Sequence, residues 1–229
     1  YLIVKLNSYM KYKVVIIGNG FVGEAQAFAF SPTTDVRIYD IDPKRATHTK
    51  EEIDECDFVF VCVPTPMYKD GRQDTSYIDK VFDAAKSGPI YIIKSTVLPG
   101  TTRSLQQKYK DLNIVFSPEF LTERTAKLDM LTQARIVLGG HSDDIEPAAK
   151  LFEERFMNKH IIKTDSTTAE LIKYMNNSFF ATKVSIVNDF KMLDIDDDGT
   201  SEIIINRTTG HEDYYVVDND RGYDGIKIQ

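Results

Sequence analysis

The chain has 229 residues, 42% of them apolar and 28% charged, with a formal net charge of -7. That length supports one large or two small domains with a sizeable core. The acidic balance argues against a duplex nucleic-acid binder, which carries a basic face, and no apolar run approaches the ~20 residues a membrane span needs.

Residues 1–10 read as an extension. They lack the small-residue cleavage site of a signal peptide, and Met10 directly precedes the first convincing strand. Lys13–Ile17 is a β-branched run and predicts a strand. Residues 21–30 predict a helix, 36–39 a strand, and 58–63 a strand that is apolar throughout. A helix over about 76–86 leads to a strand at Ile90–Ile93, and one over about 101–110 precedes a strand at 114–116. A strand at 135–138, a helix over about 143–156 and a short strand at 160–163 follow. Apolar strands separated by helices imply a parallel sheet covered on both faces, an α/β doubly wound fold. Residues 11–165 make up this domain.

A long central helix is predicted over 166–193. Thr167-Thr168-Ala169-Glu170 fits a capping box, and Leu171, Tyr174, Met175, Phe179, Ala181 and Val184 recur at helical spacing. The character changes in 194–229, a divergent or truncated segment with an acidic turn and β-like pieces at 202–205 and 214–217. Its Asp196 to Gly199 lacks the ligand spacing of a calcium loop, and the four histidines are scattered, so no metal site is expected. Cys56 and Cys62 flank the third strand and read as reduced core thiols of a cytoplasmic protein.

Three constellations carry chemistry. Gly18-Asn19-Gly20-Phe21-Val22-Gly23 follows the first strand and opens a helix, the context of a dinucleotide site. The first glycine permits the tight turn, the second lets backbone approach a pyrophosphate, and the third allows close helix–strand packing. Asp40, at the end of the second strand, can accept from a ribose 2′-hydroxyl and repels a 2′-phosphate, which favours NAD over NADP. Arg45, nearby in the chain, could stack on adenine or touch phosphate, which leaves NADP open. Next, Ser117-Pro118-Glu119-Phe120-Leu121-Thr122-Glu123-Arg124 places two carboxylates four residues apart just after a strand. Open α/β sheets put their sites beyond the carboxyl ends of strands. Finally, Lys173 and Asn177 share one helix face, where a cation and an amide could stabilise an oxyanion.

With Val63-Pro64-Thr65-Pro66 and the run Lys94-Ser95-Thr96-Val97-Leu98-Pro99-Gly100-Thr101-Thr102, these motifs over residues 11–190 resemble the UDP-glucose/GDP-mannose dehydrogenase family. The resemblance implies a Rossmann-like NAD domain followed by a long helix. It implies oxidation of the C6 alcohol of a nucleotide sugar to a carboxylate, with two NAD, and pairing of two copies through the central helix. Gly18 to Gly23, Asp40 and Arg45 would contact NAD, with Val63, Thr65, Ser95 and Thr96 on the nicotinamide side. Thr96 and Glu119 would position water and polar groups, Glu123 would serve thioester hydrolysis, and Lys173 and Asn177 would hold the oxyanion. Glu123, Arg124 and Thr125 would lie along the substrate, Arg124 standing where the family usually has glycine. The family's nucleophilic cysteine has no counterpart here: Arg221-Gly222-Tyr223-Asp224-Gly225-Ile226-Lys227 is the nearest match and puts Lys227 in its place. Little uronic acid is therefore expected from this chain without a cysteine-bearing segment. The alternatives are a β-hydroxyacid dehydrogenase-like enzyme, which shares the Lys-x-x-x-Asn helix and needs no cysteine, and a non-catalytic NAD-binding or dimerisation module.

Overall fold

The computed structural model describes residues 11–188 except residue 54, together with strands at Phe190–Leu193, Glu202–Asn206, Tyr214–Val217 and Ile226–Ile228. The extension at 1–10 and most of the Arg221 to Lys227 motif lie outside the described residues. The chain divides into two compact units, Tyr1–Tyr174 and Met175–Gln229.

The first unit is built on one seven-stranded sheet. Its strands are β1 (Lys13–Ile17), β2 (Asp35–Tyr39), β3 (Phe58–Val61), β4 (Ile90–Ile93), β5 (Asn113–Phe116), β6 (Arg135–Gly139) and β7 (His160–Thr164). They lie in the order β2-β1-β3-β4-β5-β6-β7. Strands β1 to β5 are mutually parallel. The sheet is not parallel throughout, as the alternation of strands and helices had implied. β6 and β7 pair parallel with each other but run against β5, to which β6 is joined through the single register pair Phe116↔Gly139. The connection from β5 packs its short helix α4 (Ala126–Thr132) against α1 (Phe21–Phe30), and β6 starts back from the end at which β5 finished. A parallel neighbour needs a full crossover across the sheet.

The near-continuous apolar strands feed two cores, because successive side chains leave a strand on opposite faces. Val14, Ile16, Phe58, Phe60 and Ile92 enter one core, and Val15, Val59, Val61, Tyr91 and Ile93 the other. The first core centres on aromatic rings. Phe30 of α1 lies 5.1 Å from Phe60 and 5.5 Å from Phe152 of α5 (Ser142–Arg155). The second core is closed by Ile78 and Phe82 of α2 (Ser76–Asp83) and Leu105 of α3 (Thr101–Lys108).

The long helix α6 spans Ser166–Asn188. Its cap differs from the expected box. Asp165 supplies it, accepting from the Thr168 amide at 3.0 Å and the Thr168 hydroxyl at 2.5 Å. Glu170 instead turns away and caps a different helix. Its two carboxylate oxygens accept from the Gly100 amide at 2.5 Å and the Thr102 amide at 2.7 Å, at the start of α3. A carboxylate satisfies orphan N–H groups at a helix N-terminus and is favoured there by the dipole, which explains why Glu170 is tolerated at 0% exposure.

The apolar stripe read from the sequence of α6 is its open face. Leu171, Tyr174, Met175 and Phe179 are all exposed, whereas Ala169, Glu170 and Lys173 are buried. The helix ends at Asn188, and Phe190–Leu193 forms a strand instead of a last helical turn. That segment pairs antiparallel with Glu202–Asn206, whose Ile203-Ile204-Ile205 run is strongly β-forming. In the second unit Phe190–Leu193, Glu202–Asn206, Tyr214–Val217 and Ile226–Ile228 form a sequential antiparallel sheet.

Glu170→Ala should lower stability by about 2–4 kcal/mol, since two buried amides lose a charged acceptor. Asp165→Ala, at an exposed cap, should cost only about 1 kcal/mol. Urea denaturation of both variants checks the contrast.

Candidate active site

The strand order locates the site. β2 lies on one side of β1 and β3 on the other, so the loops leaving β1 and β3 diverge and open a crevice at the carboxyl ends of the strands. A cavity of about 820 Å³ lies there, lined among others by Gly18, Asp40, Val63, Ser95, Thr96 and Glu119.

The glycine turn behaves as its spacing predicts. Gly18 has a φ of 92°, a left-handed conformation, and a side chain there would strike the Cys62 carbonyl. Gly23 packs so closely that a Cβ would lie 2.0 Å from the Gly18 carbonyl oxygen. At Gly20, by contrast, a Cβ would meet nothing within 4 Å, and the N-terminus of α1 that this residue opens has no side-chain cap. The first-turn amides are thus left for an anion. Phe21 and Val22 continue the cavity wall. Asp40 is oriented by backbone: its two oxygens accept from the Asn19 amide at 2.7 Å and the Asp42 amide at 2.8 Å. Each oxygen keeps a lone pair for a ribose hydroxyl. Asn19 donates its side-chain amide to the Arg45 carbonyl, and its Oδ1 is buried without a partner. The open space at Gly20, the uncapped helix and the orphan Oδ1 fit a dinucleotide. Arg45 lines the same end.

Across β1 the cavity passes Thr65, Ser95 and Thr96. Ser95 donates to the Val63 carbonyl at 2.6 Å, and Thr65 donates to the Thr96 carbonyl at 2.8 Å. These bonds tie the loop after β3 to the loop after β4.

Beyond them lies a buried charge cluster. Lys173 of α6 reaches Glu119 and donates to its carboxylate at 2.6 Å and also to its backbone carbonyl. The other Glu119 oxygen accepts from the Leu121 amide at 2.8 Å. Lys94, immediately after β4, donates to Ser117 Oγ at 3.1 Å and to the Pro118 carbonyl at 3.3 Å. Lys94 and Lys173 are each 4% exposed. Desolvation above all, helped by the charge of Lys173, brings the Lys94 ammonium down to about 8, against the opposing pull of Cys62 and Glu119. Cys62 is pushed up to about 12 by desolvation. At neutral pH it is a protonated thiol and a poor nucleophile.

The structure does not gather every residue singled out by sequence. Glu123, Arg124 and Thr125 form an exposed 3-10 turn, and none of the three lines the cavity. Thr125 is engaged locally, donating to Asp129 at 2.9 Å. Asn177 lies one helical turn beyond Lys173 and is exposed. Lys94, Glu170 and Gln73 have structural roles that the motifs did not suggest. For Lys94 the signal was available: an ammonium directly after the apolar strand Ile90–Ile93 must be buried or must bend the chain outward.

Burial of Lys94 makes stability pH-dependent. Below about pH 8 folding bears the full cost of the buried charge, and between about 8 and 10.5 that cost fades, by roughly 3 kcal/mol in all. Cys62 acts oppositely from about pH 9 upward, because only the unfolded thiol ionises freely. The difference between the native chain and Lys94→Met isolates the lysine. Measured by urea denaturation, the native chain should gain stability relative to the variant as pH rises from 8 to 10.

Comparison with known proteins agrees with this geometry. Residues 44–156 match the NAD-binding domain of the UDP-glucose/GDP-mannose dehydrogenase family. A UDP-glucose 6-dehydrogenase of Rickettsia conorii is 35% identical over 146 residues, covering 60% of this chain and 34% of the relative. The UDP-glucose 6-dehydrogenase AglM of Haloferax volcanii is 35% identical over 175 residues, covering 67% of this chain and 41% of the relative. The solved UDP-D-ManNAc dehydrogenase of Pyrococcus horikoshii superposes with a TM-score of 0.68 at 24% identity, over 77% of this chain and 52% of that one. The chain thus spans between a third and about half of these proteins. With the sheet's cleft at its switch point, the family match over residues 44–156 and the relatives at 35% identity place the chain in the UDP-glucose/GDP-mannose dehydrogenase family.

Proposed function

We propose that this chain serves the NAD-dependent oxidation of the C6 alcohol of a nucleotide sugar, of the UDP-glucose type, to the uronic acid. The observation that carries the reading is the buried Lys173–Glu119 pair, whose Glu119 lines the cofactor cavity together with Thr96. NAD, when bound, accepts hydride. The chain's own residues bind and orient. The turn from Gly18 to Gly23 offers the pyrophosphate its amides from Gly20 onward, those of Gly18 and Asn19 being bonded to Tyr39 and Asp40, and Asp40 holds the ribose. Lys173 spends two N–H groups on Glu119, and its third is left for oxygen charge developing on the sugar C6. Thr96 and Glu119 orient water and polar groups there.

In this reading residues 11–165 hold the cofactor and 166–193 connect it to the substrate. Glu123, Arg124, Thr125 and Asn177 face the sugar, and their exposure leaves them available to it. The acid arises in two oxidations through a thiohemiacetal and a thioester, with Glu123 serving the final hydrolysis. The thiol is not Cys62, which stays protonated, and comes from a Gly-Gly-x-Cys segment outside these 229 residues. The work is cytoplasmic and feeds polysaccharide biosynthesis. The exposed stripe of Leu171, Tyr174, Met175 and Phe179 supports pairing of two copies through α6.

Titration calorimetry should show one NAD per chain, with Asp40→Ala binding about tenfold more weakly, since a charge-assisted bond to the ribose is lost. This chain alone, given UDP-glucose, should form little NADH. With the cysteine-bearing segment supplied, NADH should form at about two per sugar, one for each of the two oxidations. Lys173→Ala should then cut the rate by about 10²–10³ while leaving NAD affinity unchanged. Rapid NADH formation by the chain alone would overturn the thiol requirement.

A further inference from the structure

We infer that Gln73 is a positioning residue that fixes the nicotinamide half of the cofactor cleft. The inference rests on the NAD reading above. The strand order gives the direction in which the cofactor lies. Its ribose end is set by Asp40 after β2, and its pyrophosphate by the turn after β1. The remaining half must extend over the ends of β3, β4 and β5, where Thr65, Ser95 and Thr96 line the cavity.

Gln73 does not line that cavity, but both ends of its carboxamide are committed to the loop that does. Its Nε2 donates to the Thr96 carbonyl at 2.7 Å, and its Oε1 accepts from the Leu98 amide at 3.2 Å. The Thr96 carbonyl also accepts from Thr65 at 2.8 Å. Both lone pairs of that oxygen are therefore occupied, and rotation of the peptide would break two hydrogen bonds. Gln73 is itself held at the foot of a small hairpin. It bridges Met67, the Tyr68 amide donates to the Arg72 carbonyl at 2.8 Å, and the Asp74 amide donates to the Pro66 carbonyl at 2.7 Å. One end of this hairpin runs directly into Pro64-Thr65, so the same clamp sets the loops after β3 and β4 together. Without it, the loop around Thr96 must be ordered by the ligand, and that entropy is drawn from the affinity.

The test compares two ligands that differ only beyond the second ribose. NAD carries nicotinamide, whereas ADP-ribose shares every group bound by Asp40 and the glycine turn. Titration calorimetry of the native chain should show NAD binding more tightly than ADP-ribose. Gln73→Leu, which keeps the volume and loses both bonds, should weaken NAD about tenfold and leave ADP-ribose within about twofold. Gln73→Glu keeps the acceptor for Leu98 and sets a carboxylate against the Thr96 carbonyl, so it should produce the same selective loss even if the leucine variant folds poorly. Equal weakening of both ligands, or no change in either, would overturn the assignment of Gln73. A native chain that binds neither ligand would overturn the NAD reading and this inference with it.

Discussion

Glu119 is the group on which the far end of the cofactor cavity depends. It sits where the turn after β5 leaves the sheet, 8% exposed, and carries the negative charge of a cluster that also holds two ammonium groups. Lys173 bonds it directly, and Lys94 feels its charge while bonding the two preceding residues. Removing two cations and one anion from water is costly, and close pairing offsets only part of that cost. The arrangement is therefore poorly explained as a device for stability. It does fix geometry. Lys173 belongs to α6, Lys94 follows β4 and Glu119 follows β5, so one carboxylate registers a helix and two strand ends against each other. The Glu170 carboxylate, one turn earlier on α6, adds a second such lock by capping α3. Between them the two glutamates hold the helix that brings Lys173 to Glu119 at the cavity wall.

Much of this was legible in the sequence because local rules and global fold agree there. Lys13–Ile17 is apolar on both faces because it is buried on both faces, and Gly18, Gly20 and Gly23 each meet the constraint that their spacing implies. The parts that were not legible are those where a side chain serves something distant. Glu170 looks like half of a local capping box, yet it caps a helix about seventy residues away, and only the tertiary fold decides between an amide in its own helix and a better-buried one elsewhere. The apolar stripe of α6 is visible in the sequence as a stripe, but periodicity cannot say whether such a face meets the core or the outside. The expected helix exceeds the observed one by five residues because Phe190–Leu193 suits a strand or a helix, and pairing with the isoleucines at 203–205 decides it from outside the segment.

The candidate site divides in the same way. The cofactor end follows from spacing, since backbone amides and one aspartate do most of the work. The proposed substrate end is an exposed turn at Glu123–Thr125 and a lysine already bonded to another group. Spacing along the chain identified these residues, but it could not show that Glu119 and Glu123, four apart, would separate into a buried partner and an exposed one. A proline at 118 and the short 3-10 turn send them to different surroundings.

The reversal of direction between β5 and β6 has a thermal consequence. Elsewhere in the seven-stranded sheet neighbouring strands share four or five register pairs, but here the ladder is a single pair, Phe116↔Gly139. The β6-α5-β7 module is held to the rest largely through the shared apolar core, with Phe152 and Phe156 set against Phe30. Apolar burial weakens on cooling, whereas a hydrogen-bonded ladder does not share that dependence. The seam beside β5 is thus the part of the first unit most sensitive to cold, and amide exchange near 0 °C should quicken first along the facing edges of β5 and β6.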